Sequence, residues 1–236
     1  MSQWYMRAKD MALQIEEIAP FFAGKKVVFL GDGDGISILL AIASSKGLVE
    51  GPTQICVLDI DERELNFYSH FASKFKVNLD FSTQLYNVFD KLPEQLRQSF
   101  DAFYINPPYS SATNPKGLGF TLWLERCLEL CSAKPIGCVV HPIYDNQTHW
   151  IGEVEQAILD FAKKGGYKKG ECVHYYHDTQ AISANLFITS FARKRSKYHA
   201  GPIPRDIAAN LYHNSLPLPH YVFNDGSKYG KFDYNW

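Results

Sequence analysis

Charge of one sign is what this chain lacks most clearly. In its 236 residues, 24 Lys+Arg stand against 25 Asp+Glu, a formal net charge of −1. Sequence-independent nucleic-acid binding needs an excess of Lys and Arg to displace counterions, so that class is disfavoured, with a local basic patch left open. Long hydrophobic runs are also missing. The longest are Val27 to Leu30 and Ile38 to Ala43, far short of the roughly 20 residues that span a bilayer. The amino-terminal MSQWYMRAKD has no apolar stretch of signal-peptide length. No membrane is therefore expected, and the cytoplasm is the expected location. Cysteine is sparse and odd in number: Cys56, Cys127, Cys131, Cys138 and Cys172. Within apolar segments these read as buried free thiols in a reducing compartment. Cys127 and Cys131 share a helical spacing, but no His or second Cys pair completes a zinc pattern, so no metal is expected. With 46 % apolar and 21 % charged residues, disordered, collagenous and coiled-coil chains are excluded. What the chain has in surplus is aromatic residues, 14 % of the total.

From Lys25 onward, strand-like and helix-like stretches alternate. Lys26 to Leu30 reads as a strand buried on both faces. Ile36 to Lys46 has helical spacing, ended by Gly47 and Gly51-Pro52. Ile55 to Ile60 is a second strand, and Asp61 is placed to cap a helix from Glu62 to Phe75. Further strands are expected at Val77 to Phe81, Ala102 to Ile105, Gly137 to Val140, Cys172 to Tyr176 and Leu186 to Phe191. Helices are expected at Phe120 to Cys131 and at Glu153 to Lys164, the latter ended by Gly165-Gly166. This alternation predicts a doubly wound, mostly parallel seven-stranded sheet with an antiparallel edge strand. Three parts are expected: a helical lead-in over 1–24, a catalytic domain over 25–196, and an irregular tail over 197–236. The tail holds Pro202, Pro204, Pro217 and Pro219 without sustained periodicity, and packs on the domain or on a second copy as a homodimer contact.

Gly31-Asp32-Gly33-Asp34-Gly35 follows the first strand directly and precedes a helix. Glycines there permit a sharp turn and close approach to a ligand, and the helix start supplies unpaired N–H groups. Asp59, at the end of the second strand, stands where a doubly wound fold holds a ribose diol. No third glycine follows at the spacing of a dinucleotide fingerprint. Two acids in the turn would repel a pyrophosphate and suit a cationic nucleoside, S-adenosylmethionine or its decarboxylated form. The fourth strand runs into Asn106-Pro107-Pro108-Tyr109. Prolines make this backbone rigid, an amide and a fixed carbonyl can accept hydrogen bonds from an amine, and Tyr109 can stack on a planar or cationic group. Such a site aims an amine lone pair at an electrophilic carbon.

Together these motifs resemble the class I S-adenosylmethionine-dependent transferases, over residues 25 to about 193. One relative within that superfamily is the branched-chain polyamine synthases, whose signatures include a Gly-Asp-Asp-Asp loop, Val-Asp-Ile-Asp-Glu-Arg and Asp-Pro-Pro. Here Leu30-Gly31-Asp32-Gly33-Asp34, Leu58-Asp59-Ile60-Asp61-Glu62-Arg63, Tyr86 to Pro93 and Asn106-Pro107-Pro108 stand in their places. The resemblance implies a Rossmann-like class I methyltransferase fold and aminopropyl transfer to a polyamine or similar small-molecule amine. It implies a donor site of Gly31, Asp32, Gly33, Asp34, Gly35, Asp59, Ile60, Asn87 and Val88, with Asn87 near the adenine. The catalytic segment would be Asn106, Pro107, Pro108 and Tyr109. The other relative is the amino-group methyltransferases acting on adenine N6, glutamine or a small molecule, whose Asn-Pro-Pro-Tyr is matched fully. Their usual acid two residues before the first glycine is Phe29 here. A non-catalytic nucleoside-binding paralogue is a third reading. Asn106 stands where the polyamine family has Asp, and Asn cannot take a proton. Ser110, His141 and Tyr176 are the expected acceptor pocket. His149, in the loop after His141, reads equally as a base or as a loop residue without a role. His174, Tyr175, Tyr176, His177 and Asp178 line the acceptor pocket or form a solvated edge, the edge being the favoured reading. Arg193 to Lys197 reads as a solvated strand end rather than a nucleic-acid contact.

Overall fold

The computed structural model describes residues 5–107, 118–143, 148–169, 173–176, 183–192, 200–204, 208 and 221–226. In chain order the elements are α1 (Ala8–Phe22), β1 (Lys26–Leu30), α2 (Ile36–Ser45), β2 (Gln54–Asp59), α3 (Glu62–Lys74), β3 (Asp80–Leu85), β4 (Phe100–Ile105), α4 (Leu118–Leu130), β5 (Cys131–Ile143), α5 (Thr148–Phe161), β6 (Ala162–Lys169), β7 (His174–Tyr175) and β8 (Ser183–Phe191). The sheet runs β3-β2-β1-β4-β5-β8-β6, and β7 also pairs with β8. The first five strands of that order are parallel, while β8 runs antiparallel to β5, β6 and β7. This is the mixed, doubly wound sheet expected, with its antiparallel strand on one flank between β5 and β6.

Both faces of β1 are covered, which is why its apolar run is continuous rather than alternating. One face packs α4 and α5 over Val28, Leu30, Phe103, Val139 and Phe187. The other packs α1, α2 and α3 over Val27, Phe29, Tyr104, Val140 and Leu186. The winding direction reverses between β1 and β4, whose last paired residues are Leu30 and Ile105. Gly31 and Asn106 are thus neighbours at the carboxyl end of the sheet, the position where open α/β folds hold ligands.

Two elements differ from expectation. The third strand lies at Asp80–Leu85 rather than Val77–Phe81. Lys76 adopts a left-handed φ of 52°, and the Lys76 and Val77 N–H groups donate to the Ser73 and Ala72 carbonyls. Val77 is therefore consumed in the helix end. The helix expected to reach Lys164 stops at Phe161, and Gly165-Gly166 lie inside β6. The β6–β8 register shifts between Ala162 and Tyr167, so this glycine pair marks a strand irregularity rather than a helix stop. The lead-in forms α1, which buries Ile15, Ile18 and Phe22. The four described cysteines are buried and unpaired. Among the described residues no helix is long and apolar enough to cross a membrane.

Candidate active site

The glycine turn is held from within. Gly31, at φ +70°, donates its N–H to the Leu58 carbonyl at 2.8 Å. A Cβ there would lie 2.8 Å from the Trp123 ring, so the indole of α4 packs on the turn only because residue 31 lacks a side chain. Asp32 is 1 % exposed. Its two carboxylate oxygens accept the Ile36 N–H at 2.9 Å and the Ser37 N–H at 2.8 Å, at the start of α2. The Tyr68 hydroxyl donates to the Asp32 carbonyl, and Gly35 N–H donates to that same carbonyl at 2.8 Å. Asp32 thus fixes the turn and caps the helix.

Asp34 does different work. It is 8 % exposed, and its carboxylate accepts the Met6 N–H at 2.8 Å and the Asn106 side-chain amide at 3.1 Å. The same Asn106 amide nitrogen donates to the Tyr176 hydroxyl at 3.3 Å. Two stretches remote in sequence thus meet at the end of β4. Met6 and Tyr176 form a bridge, Arg7 N–H donates to the Tyr175 carbonyl, and the Arg7 guanidinium lies 4.6 Å from the Tyr175 ring centroid. Asp59 closes the neighbouring strand end, accepting the Asp32 N–H at 3.3 Å and the Asp61 N–H at 2.9 Å. Asp61 caps α3 through the Arg63 N–H, as expected.

These acids crowd one edge of the sheet. Burial pushes Asp34 up to about 6 and Asp32 up to about 8, against the hydrogen bonds that favour ionisation. Burial, with Asp59 and Asp61 nearby, pushes Glu64 up to about 7, and burial also raises Asp59. Such a cluster of acids disfavours further negative charge and favours a cation.

Asn87 and Val88 follow β3. The buried Asn87 side chain accepts the Phe89 N–H at 3.0 Å, making an Asx turn, and its N–H donates to the Tyr221 hydroxyl at 2.9 Å. The Val88 carbonyl accepts from Arg126 at 2.9 Å. Of the three residues expected around an acceptor, Tyr176 reaches Asn106. His141 instead sits on the α4/α5 face with its ring 4.8 Å from Phe187, because strand alternation turns it to the side opposite Asn106. Ser110 lies outside the described residues, as do Pro108, Tyr109, His177, Asp178 and the Arg193 to Lys197 run. Sequence reasoning missed Met6, Glu64, Trp123, Arg126 and Tyr221. Only Glu64 had a local signal: it stands three residues after the cap Asp61, the spacing of a capping box, on the first turn beyond Asp59.

Comparison with known proteins adds lineage to this geometry. Residues 21–150 match the family described as the branched-chain polyamine synthase A C-terminal domain. An uncharacterized protein of Methanocaldococcus jannaschii is 26 % identical over 181 residues, covering 75 % of this chain and 41 % of that protein. The N(4)-bis(aminopropyl)spermidine synthase of the same organism is 34 % identical over 85 residues, 36 % of this chain and 22 % of the synthase. The branched-chain polyamine synthase from Thermus thermophilus, solved in complex with N4-aminopropylspermidine and 5'-methylthioadenosine, superposes with a TM-score of 0.63 at 17 % identity, covering 88 % of this chain and 62 % of that one. That likeness is one of fold. The chain spans less than half the length of the two curated relatives. The family match runs from the end of α1 to the start of α5 and takes in the glycine turn, the Asp59 strand end and Asn106-Pro107, and on it the chain belongs to the branched-chain polyamine synthase A C-terminal domain family.

Proposed function

We propose that the chain transfers an aminopropyl group from decarboxylated S-adenosylmethionine to a nitrogen of a polyamine or similar small amine. The amine lone pair attacks the carbon bonded to the sulfonium, a C–N bond forms as the C–S bond breaks, and 5'-methylthioadenosine leaves. The observation that carries this reading is the orientation of Asn106. Its amide nitrogen donates to Asp34 and Tyr176, which turns its carbonyl oxygen the other way. Among the described residues that oxygen accepts no hydrogen bond, so it is free to take one from an amine N–H and aim the lone pair. Asp34, Asp59 and Glu64 favour a sulfonium donor that has lost its carboxylate. The T. thermophilus relative, with its aminopropylated polyamine and methylthioadenosine, supports the same direction.

The neighbouring acids give this reading a pH signature. A carboxyl whose pKa is raised is neutral below that value, and a cationic ligand prefers its ionised form. Binding of the sulfonium therefore releases protons, and affinity rises with pH until the group is fully ionised. In calorimetric titrations, affinity for decarboxylated S-adenosylmethionine is expected to rise through pH 6 to 7, the range of Asp34 and Glu64. Affinity for neutral 5'-methylthioadenosine should stay flat. The carboxylate-bearing S-adenosylmethionine should bind more weakly than its decarboxylated form; a clear preference for it would favour amino-group methyl transfer instead.

A further inference from the structure

One piece of the carboxy-terminal tail lies across the carboxyl ends of β2 and β3. Tyr221, Val222 and Phe223 run between two stretches of the expected donor site, Asp59-Ile60 and Asn87-Val88. On one side the Tyr221 hydroxyl accepts the Asn87 N–H at 2.9 Å and donates to the Asp90 carboxylate at 2.5 Å. On the other, Val222 N–H donates to the Ile60 carbonyl at 2.8 Å and the Glu62 N–H donates to the Val222 carbonyl at 2.8 Å. Asn224 N–H adds a bond to the Glu62 carboxylate at 3.0 Å. Tyr221 itself is 6 % exposed. The loop it grips is held from beneath as well: the Ile203 N–H reaches the Phe89 carbonyl, and the Leu92 N–H reaches the Ala200 carbonyl.

Resting on the donor reading above, we propose that Tyr221 is a positioning residue of the nucleoside site. It acts through the Asn87 backbone and the Asp90 carboxylate, and the strap it anchors ties the Ile60 stretch to the Asn87-Val88 stretch. A phenolic hydroxyl can donate and accept at once, and both capacities are used on one short loop. A slot tied on both sides before the ligand arrives does not have to be ordered by it, so less binding energy is lost to ordering. Coupling of this kind is reciprocal: a nucleoside that gains from the strap must in turn stabilise it.

The test uses 5'-methylthioadenosine as probe and Tyr221→Phe, which keeps the ring and removes both hydrogen bonds. Two lost bonds of ordinary strength are expected to weaken binding roughly five- to thirty-fold in calorimetry. In hydrogen exchange, the probe should slow the Val222 and Glu62 amides of the wild-type chain and lose that effect in Tyr221→Phe. A tyrosine that served folding alone would not give this ligand-dependent protection. Val222→Pro deletes the N–H that reaches Ile60, leaves Tyr221 in place, and is expected to weaken the same binding. If the wild-type chain binds the probe and Tyr221→Phe binds it equally well, the proposal is overturned and the donor reading stands. If the wild-type chain does not bind it, the donor reading falls and takes the proposal with it.

Discussion

Replacing Asn106 by alanine is expected to abolish transfer while leaving donor affinity nearly intact. The side chain stands at the end of β4, beside the glycine turn, and its nitrogen is committed to Asp34 and Tyr176. In the proposed reaction its only contact with reacting atoms is the carbonyl oxygen that orients the amine. Losing one such preorganised group costs about a hundred- to a thousand-fold in turnover. The donor is held by other groups, so calorimetry with 5'-methylthioadenosine should read within a few-fold of wild type. Asn106→Asp is informative beside it. An aspartate would place a second carboxyl about where the amide nitrogen now meets Asp34, 3.1 Å away, and one of the two must then hold a proton. That variant should retain part of the activity lost by alanine, with a shifted pH profile. Equal loss of turnover and donor affinity in Asn106→Ala would mean that the amine is not held there.

The second large effect concerns stability. Arg126 of α4 is 1 % exposed, and its partners are the loop after β3, the tail and one acid of its own helix. It donates to the carbonyls of Val88 at 2.9 Å, Asp90 at 3.2 Å and Gly201 at 2.6 Å, and to Glu129 at 2.9 Å. Glu129 in turn accepts the Ala200 N–H at 2.7 Å. Arg126→Met fills much of the space but removes the cation beside a buried carboxylate and one donor from each of three carbonyls. Removing one partner of a buried pair costs about 3–5 kcal/mol. At this chain length that lowers the melting temperature by about 6–20 °C. Adding Glu129→Gln to Arg126→Met should recover part of the loss, because the orphaned charge goes with it. A loss below about 1 kcal/mol for the single variant would contradict the buried network.

How much of this was legible in the sequence follows from how local each signal was. The β1–turn–α2 and β2–α3 units were readable because glycines, caps and apolar runs act within a few residues of themselves. Asp61 as a cap and Asp59 at the strand end belong to that class. The shift of β3 was not readable, because it depends on Lys76 taking a left-handed conformation that no turn residue announces. Strand β6 was hidden by Gly165-Gly166, which stop a helix as readily as they loosen a strand. Arg126 is buried because the tail and the 87–90 loop fold against it, and no local pattern announces those contacts. Met6 and Tyr221 reach the site through contacts over long sequence separations, and no spacing rule connects them. The aromatic surplus now has several structural uses. Tyr104 donates to Gln14 at 2.8 Å, Tyr68 supports the glycine turn, and Phe103 and Phe191 pack over Gly137 with ring centroids 5.2 Å apart.

The most direct test of the central claim is product analysis. The purified chain is incubated with decarboxylated S-adenosylmethionine and spermidine, and in parallel with S-adenosylmethionine and spermidine, and both mixtures are followed by mass spectrometry. Aminopropyl transfer is expected to release 5'-methylthioadenosine in the first mixture together with a polyamine heavier by one aminopropyl group, with no product in the second. Release of S-adenosylhomocysteine with a methylated amine in the second, and nothing in the first, would contradict it.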